Sequence, residues 1–194
     1  MKNNLVIFHK NQYKLRMKKY LVLYRPFLVF LFTFFGTYVL LASLYQFFLN
    51  GFENGQVDTA TRWVAQNTEQ VMSWFYQSIR VEEVRNEPFF LVYFQNQSVA
   101  RIVEGCNGVS VIILFVSFVV AFSGSLKNTL LFVFGGSLII YVLNVLRIAV
   151  LTGLLYYFPE YLHVLHGVLF PLIIYGVVFV LWFFWVNKFS KYAK

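Results

Sequence analysis

The sequence predicts an all-α integral membrane protein with about four transmembrane helices and one extracytoplasmic segment containing an amphipathic helix and a short β-hairpin. Hydrophobic residues make up 59% of the 194 positions and charged residues only 12%. The mean hydropathy is +0.65, which sets the chain apart from soluble domains. Long uncharged runs supply the spans, and charge segregation supplies the topology. Lys2, Lys10, Lys14, Arg16, Lys18, Lys19 and Arg25 precede the first apolar run, and Lys188, Lys191 and Lys194 close the chain. All eight acids, Glu53, Asp58, Glu69, Glu82, Glu83, Glu87, Glu104 and Glu160, fall in other segments. In a soluble chain a net charge of +8 would suggest nucleic acid. Basic tails facing a cytoplasmic leaflet explain the same charge, and no nucleic acid is expected.

Residues 1–26 form a basic cytoplasmic tail in which Tyr13, Tyr20, Leu21, Val22 and Leu23 suit the membrane interface. The anchor helix is 27–49, 23 residues without a charge. A hydrocarbon core of about 30 Å needs about 20 helical residues, and a cleaved signal peptide would have a shorter apolar region. Residues 50–104 are the one sizeable polar segment, read as extracytoplasmic. Asp58 or Thr59 caps a helix in which Trp63, Val64, Val71, Trp74, Phe75 and Ile79 share a face. Beyond Pro88, Phe89 to Phe94 and Ser98 to Val103 are β-prone runs joined by Gln95-Asn96-Gln97, a hairpin that feeds into the only cysteine, Cys106.

Asn107 to Phe122 begins the second span, and Ser123 to Asn128 is a tight turn. Thr129 to Phe158 is then apolar for 30 residues apart from Asn144 and Arg147. A single helix of that length is about 45 Å long, so it must tilt, bend or leave the hydrocarbon core near Arg147. Pro159 breaks or restarts the helix. Glu160 to Val186 forms the last span, with Trp182 and Trp185 as an interfacial belt, and residues 188–194 are a second basic cytoplasmic tail.

This order of spans brings Cys106, Arg147, His163 and His166 near the outer face from three separate helices. A lone cysteine forms no intramolecular disulfide. As a nucleophile it needs nearby cations or the N-terminus of the helix it opens; the alternative is a small buried hydrophobe. An arginine in an apolar run usually faces a bundle interior or a polar cavity, the alternative being a side chain that snorkels to the headgroups. Asn144, one turn before Arg147, continues a polar stripe with Ser137 and Tyr141 that favours the inward arrangement. His163 and His166 share a face, and either suits an acid or base near neutral pH, or a plain polar contact. No further Cys, His or acid has ligand spacing, so neither a metal nor another cofactor is expected. Ser110, Ser117, Ala121 and Gly124 give the second span a small-residue face suited to packing.

Three short motifs contain these residues: Gly105-Cys106-Asn107-Gly108-Val109, Asn144-Val145-Leu146-Arg147-Ile148 and His163-Val164-Leu165-His166-Gly167. In order and content they resemble the cysteine, arginine and histidine boxes of the exosortase/archaeosortase family of membrane cysteine transpeptidases. The compact layout resembles the small exosortase F subfamily. The resemblance implies Cys106 as nucleophile, Arg147 as active-site cation and His163 as the histidine; Asn144, His166 and Asn107 are candidate supporting residues. Asn107 departs from the family's usual Ser or other small residue, and His166 duplicates the imidazole. The family's activity is cleavage of a C-terminal sorting signal and transfer of the exported protein to a cell-surface acceptor. It follows that residues 105–187 are the catalytic helical core of a multi-pass protein of the bacterial inner (cytoplasmic) membrane, its active site extracytoplasmic. The implied partners are membrane-tethered substrate proteins, a lipid or glycan acceptor, and membrane lipids. Two other readings stay open: a non-enzymatic membrane assembly or transport subunit, and an intramembrane cysteine hydrolase.

Overall fold

A computed structural model describes residues 20, 22–52, 55–122 and 124–189; the tail expected at 1–19, Leu21, Ser123 and the final lysines Lys191 and Lys194 lie outside the described residues. The first helix, α1 (Arg25–Leu49), starts with Pro26, whose missing N–H and fixed φ suit a first turn. None of its side chains is buried. It meets α3 (Val109–Ala121) through Phe30, which packs against the rings of Phe118 and Phe122. The two long apolar helices that complete the bundle are α4 (Leu126–Tyr157) and α5 (Phe170–Lys188).

Three helical stretches are long and apolar enough to cross a membrane: Arg25–Leu49, Leu126–Tyr157 and Pro159–Lys188. Here the expectation of four full spans is modified. The second apolar run yields a helix of only 13 residues, about 20 Å long. The apolar run from Asn107 to Phe122 is itself only 16 residues, and its start is shortened further where Asn107 and Gly108 build an entry turn in place of a helical one, with Gly108 at φ +80°.

Helix α4 runs unbroken through Arg147 for 32 residues, about 48 Å. Its C-terminal half is covered by the polar segment that precedes Cys106, and Val145, Ile148, Ala149, Leu151 and Leu155 are buried. That cover begins with α2 (Thr59–Ser73), capped by Asp58, whose carboxylate accepts from the Thr61 amide at 2.9 Å. The buried face of α2 is Thr61, Val64, Ala65, Thr68 and Met72, and of the residues expected to share a face within this helix only Val64 belongs to it. Trp63, Trp74 and Phe75 are 60%, 69% and 75% exposed, and Ile79 belongs to a strand. Small and β-branched side chains let α2 approach α4 and the sheet closely, so the indole and phenyl groups are left outside.

The sheet has three antiparallel strands in the order β1 (Ile79–Glu83), β2 (Phe89–Phe94), β3 (Gln97–Val103). The hairpin is as expected; β1 is additional. Its sequence, Ile-Arg-Val-Glu-Glu, alternates correctly but carries three charges, which hid the strand. Phe90, Val92 and Phe94 of β2 point into a core shared with Val64, Met72 and Ile148. Phe94 and Gln97 pair directly, so the turn is the two residues Gln95 and Asn96, at φ 49° and 65°. Asparagine tolerates that left-handed geometry better than most residues. Arg62 grips both oxygens of Glu83 at 2.6 and 2.8 Å, fastening α2 to β1. That hydrogen bond raises the guanidinium pKa above its ordinary value.

The end of the bundle nearest the C-terminus also differs from expectation. Trp185 is fully buried, and its indole N–H donates to the Val119 carbonyl at 3.0 Å. Trp182 stacks on Phe118 with centroids 4.2 Å apart. Both indoles serve the α3–α5 packing and form no lipid-facing belt, because α5 folds back across the short α3.

Candidate active site

Strand β3 delivers the chain into a one-turn 3-10 helix, Glu104–Cys106, closed by the Asn107 amide donating to the Glu104 carbonyl at 3.1 Å. Cys106 is a free, half-buried thiol packed against the core cluster to which Val145, Ile148 and Ala149 of α4 belong. Two carboxamides hold the turn that carries it, Asn144 directly and Asn107 through its neighbours. Asn144 Nδ2 donates to the Cys106 carbonyl at 2.7 Å. Asn107, 2% exposed, donates from Nδ2 to Tyr45 Oη at 2.7 Å and to Thr61 Oγ1 at 3.1 Å. Its Oδ1 accepts from the Val109 amide at 3.0 Å, which caps α3.

Gly108 completes the turn. Beyond its positive φ, a Cβ there would lie 3.2 Å from both Cγ and Nδ2 of Asn144, so the glycine also makes room for the carboxamide that holds Cys106.

Arg147 follows Asn144 by three residues on α4 and reaches its Oδ1 with Nη1 at a long 3.5 Å. Its Nε is buried and, among the described residues, without a hydrogen-bond partner. This half-buried cation therefore keeps donor capacity in hand beside the cysteine turn. An anion or a developing oxyanion would use it well. Cys106, Asn107, Asn144 and Arg147 thus form one connected cluster, contributed by the cysteine turn and α4.

The histidines stand apart from that cluster. His163 lies on the single helical turn Leu162–Val164 and His166 on the π-turn Leu165–Leu169, a geometry often found at functional sites. Both side chains are exposed. They line a cleft of about 620 Å³ together with Ser98 and Arg101 of β3 and Leu151 and Leu155 of α4. Neither Cys106 nor Arg147 lines this cleft, and no hydrogen bond joins either histidine to them among the described residues. The two parts are neighbours along α4, since Leu151 lies one turn, about 6 Å, beyond Arg147.

Sequence reading missed Tyr45, Thr61, Ser98 and Arg101 and saw Asp58 only as a helix cap. The pair Asp58-x-x-Thr61 carries a signal, for a cap and a hydroxyl three residues apart share one hydrogen-bonding site. Tyr45 gave none, because a tyrosine near the end of a span reads as an interfacial residue.

A family model described as transmembrane exosortase matches residues 17–185, a range that includes all three motifs. No curated protein and no solved structure matches the chain at a significant level.

Proposed function

Because the chain belongs to the transmembrane exosortase family, we propose that it is a membrane cysteine transpeptidase acting on exported proteins that carry a C-terminal sorting signal. The observation that carries this reading is the hydrogen-bonded set formed by Asn144, the Cys106 backbone and Arg147. In it Asn144 links the backbone of the residue that bears the only thiol to a cation with an unused buried donor. The Cys106 thiolate attacks the scissile carbonyl carbon, and Arg147 stabilises the oxyanion that forms. Collapse of the tetrahedral intermediate breaks the C–N bond; the departing amine takes a proton from His163, leaving a thioester on Cys106. An acceptor nucleophile then gives its proton to His163 and attacks the thioester, which returns the thiolate. The substrate fills the cleft between β3 and the histidine turn, so the leaving group lies between His163 and the cysteine turn. A substrate tethered by its own membrane helix arrives at a fixed depth, which lowers the entropic part of the barrier. The site faces the extracytoplasmic side of the bacterial inner membrane, both termini are cytoplasmic, and the acceptor is a cell-surface lipid or glycan.

The test is intact-mass analysis of a co-expressed protein that ends in an apolar helix followed by basic residues. With the wild-type chain its tail is removed and the mass of an acceptor is added; a product bearing only water assigns a hydrolase instead. Cys106→Ala, Arg147→Ala and His163→Ala should each lower processing by roughly 10²-fold or more while the protein still accumulates. Arg147→Lys should fail too if a planar fork is needed. Normal processing by Cys106→Ala would leave the membrane-subunit reading. An inactive His166→Ala beside an active His163→Ala moves the acid–base role to His166.

A further inference from the structure

Asn107 is the buried polar residue next to Cys106, and its side chain is fully engaged in hydrogen bonds. A carboxamide has two N–H donors and one acceptor oxygen. At Asn107 all three are used: the donors on Tyr45 and Thr61, the oxygen on the Val109 amide. The orientation is dictated from outside the motif. Thr61 Oγ1 donates its only hydrogen to Asp58 Oδ2 at 2.5 Å, and Asp58 is itself 4% exposed and also accepts from the Thr61 amide. With its hydrogen committed, the Thr61 hydroxyl presents only lone pairs to Asn107. A flipped carboxamide would set oxygen against oxygen, so a single rotamer survives.

We propose that Asp58, Thr61 and Tyr45 are positioning residues for the nucleophile. They act through Asn107 to lock the turn that carries Cys106, while Asn144 locks the same turn from α4. Three elements converge on it: Tyr45 lies one turn from the end of α1, Asp58 and Thr61 form the first turn of α2, and Asn107 opens α3. The polar tie at Tyr45 matters for α1 in particular, since that helix buries none of its side chains. The positioning role rests on Cys106 acting as nucleophile, whereas the lock itself does not.

The chain's single thiol makes the lock measurable without a known substrate. The full-length protein in detergent micelles is treated with iodoacetamide at neutral pH, and alkylation of Cys106 is followed by intact mass. Each lost hydrogen bond should favour local opening of the turn about fivefold. Tyr45→Phe should therefore label about five times faster than wild type with the thermal midpoint nearly unchanged, and Thr61→Val, which loses the bonds to both Asn107 and Asp58, about 25 times faster. Thr61→Ser, which keeps the hydroxyl, should label at the wild-type rate. In the processing assay Tyr45→Phe and Thr61→Val should lose turnover, and Thr61→Ser should regain it. Labelling of Tyr45→Phe and Thr61→Val within twofold of wild type overturns the proposal. So does a rise explained by a fall in thermal midpoint, or Thr61→Ser behaving like Thr61→Val. Failure of the catalytic reading shows up elsewhere, as undiminished processing by Cys106→Ala, and leaves the labelling pattern intact.

Discussion

Replacing Gly108 by alanine perturbs the cysteine turn in two separable ways. An L-residue held in the left-handed region at φ +80° costs about 1–2 kcal/mol. The new methyl also meets Asn144 Cγ and Nδ2 at 3.2 Å, tighter than ordinary contact. Asn144 is buried and must yield, which stretches its 2.7 Å bond to the Cys106 carbonyl and forfeits about 1 kcal/mol. The sum is about 2–3 kcal/mol, or a thermal midpoint lower by about 5–10 °C for a chain of this size. Tryptophan fluorescence during thermal unfolding in detergent micelles measures it. A double variant separates the two contributions. In Gly108→Ala with Asn144→Ala the steric part disappears while the backbone part stays, so the pair should couple favourably by about 1 kcal/mol. If Gly108→Ala melts within about 1 °C of wild type, the left-handed turn is not required, and the account of how Cys106 is held fails. Strict additivity in the double variant would refute the contact with Asn144 alone.

Two further outcomes test the frame around the site. A Cβ added at Gly136 would sit 2.3 Å from Phe115 Cζ, where α3 crosses α4, so Gly136→Ala should destabilise by about 1–3 kcal/mol, and adding Phe115→Leu should recover part of the loss in the same melting experiment. In a Cys106→Ala background, a membrane-impermeant thiol reagent on intact cells should label a cysteine introduced at Asn96 and spare one introduced at Ser125; the reverse order would sink the topology.

The helical class and the hairpin were legible because each rests on a local signal: uncharged runs of spanning length, and two β-prone runs around a Gln-Asn turn. Strand β1 was hidden by Arg80, Glu82 and Glu83, which are solvent-side residues of an edge strand and look like loop. The buried face of α2 was not legible, for a different reason. Hydropathy favours Trp63, Trp74 and Phe75, whereas packing against α4 favours Thr61, Ala65 and Thr68, and nothing local decides between them. The same limit applies to the site. Cys106, Asn144 and Arg147 stand out because a lone thiol and a charge in apolar surroundings are costly. Tyr45 and Thr61 matter only through Asn107, and contacts 62 and 46 residues apart in sequence leave no periodic trace.

Helix α4 shows why the long apolar run resisted a simple reading: its two halves are apolar for different reasons. From Leu126 to Asn144 there are 19 residues, about 28 Å of helix, close to the thickness of a hydrocarbon core. Leu130, Leu131, Phe134 and Leu138 along this half are 52–74% exposed, as lipid contact requires. Beyond Asn144 the helix is covered on one flank by α2 and the sheet, and Ile148, Leu151 and Leu155 are protein core. Arg147 falls just past the change from one environment to the other. Its Nε is buried there without a hydrogen-bond partner among the described residues, as for an arginine turned toward protein instead of lipid. The short α3 supports the same depth, since its entry turn holds Cys106 against the Asn144 level of α4 through the 2.7 Å carboxamide bond. A spanning α4 that ended at Asn144 would have no rigid outer half, and the cleft between β3 and the histidine turn would lose its Leu151–Leu155 floor. The extra length of α4 is therefore what lets one rigid rod carry both the arginine of the cysteine cluster and the floor under the histidines.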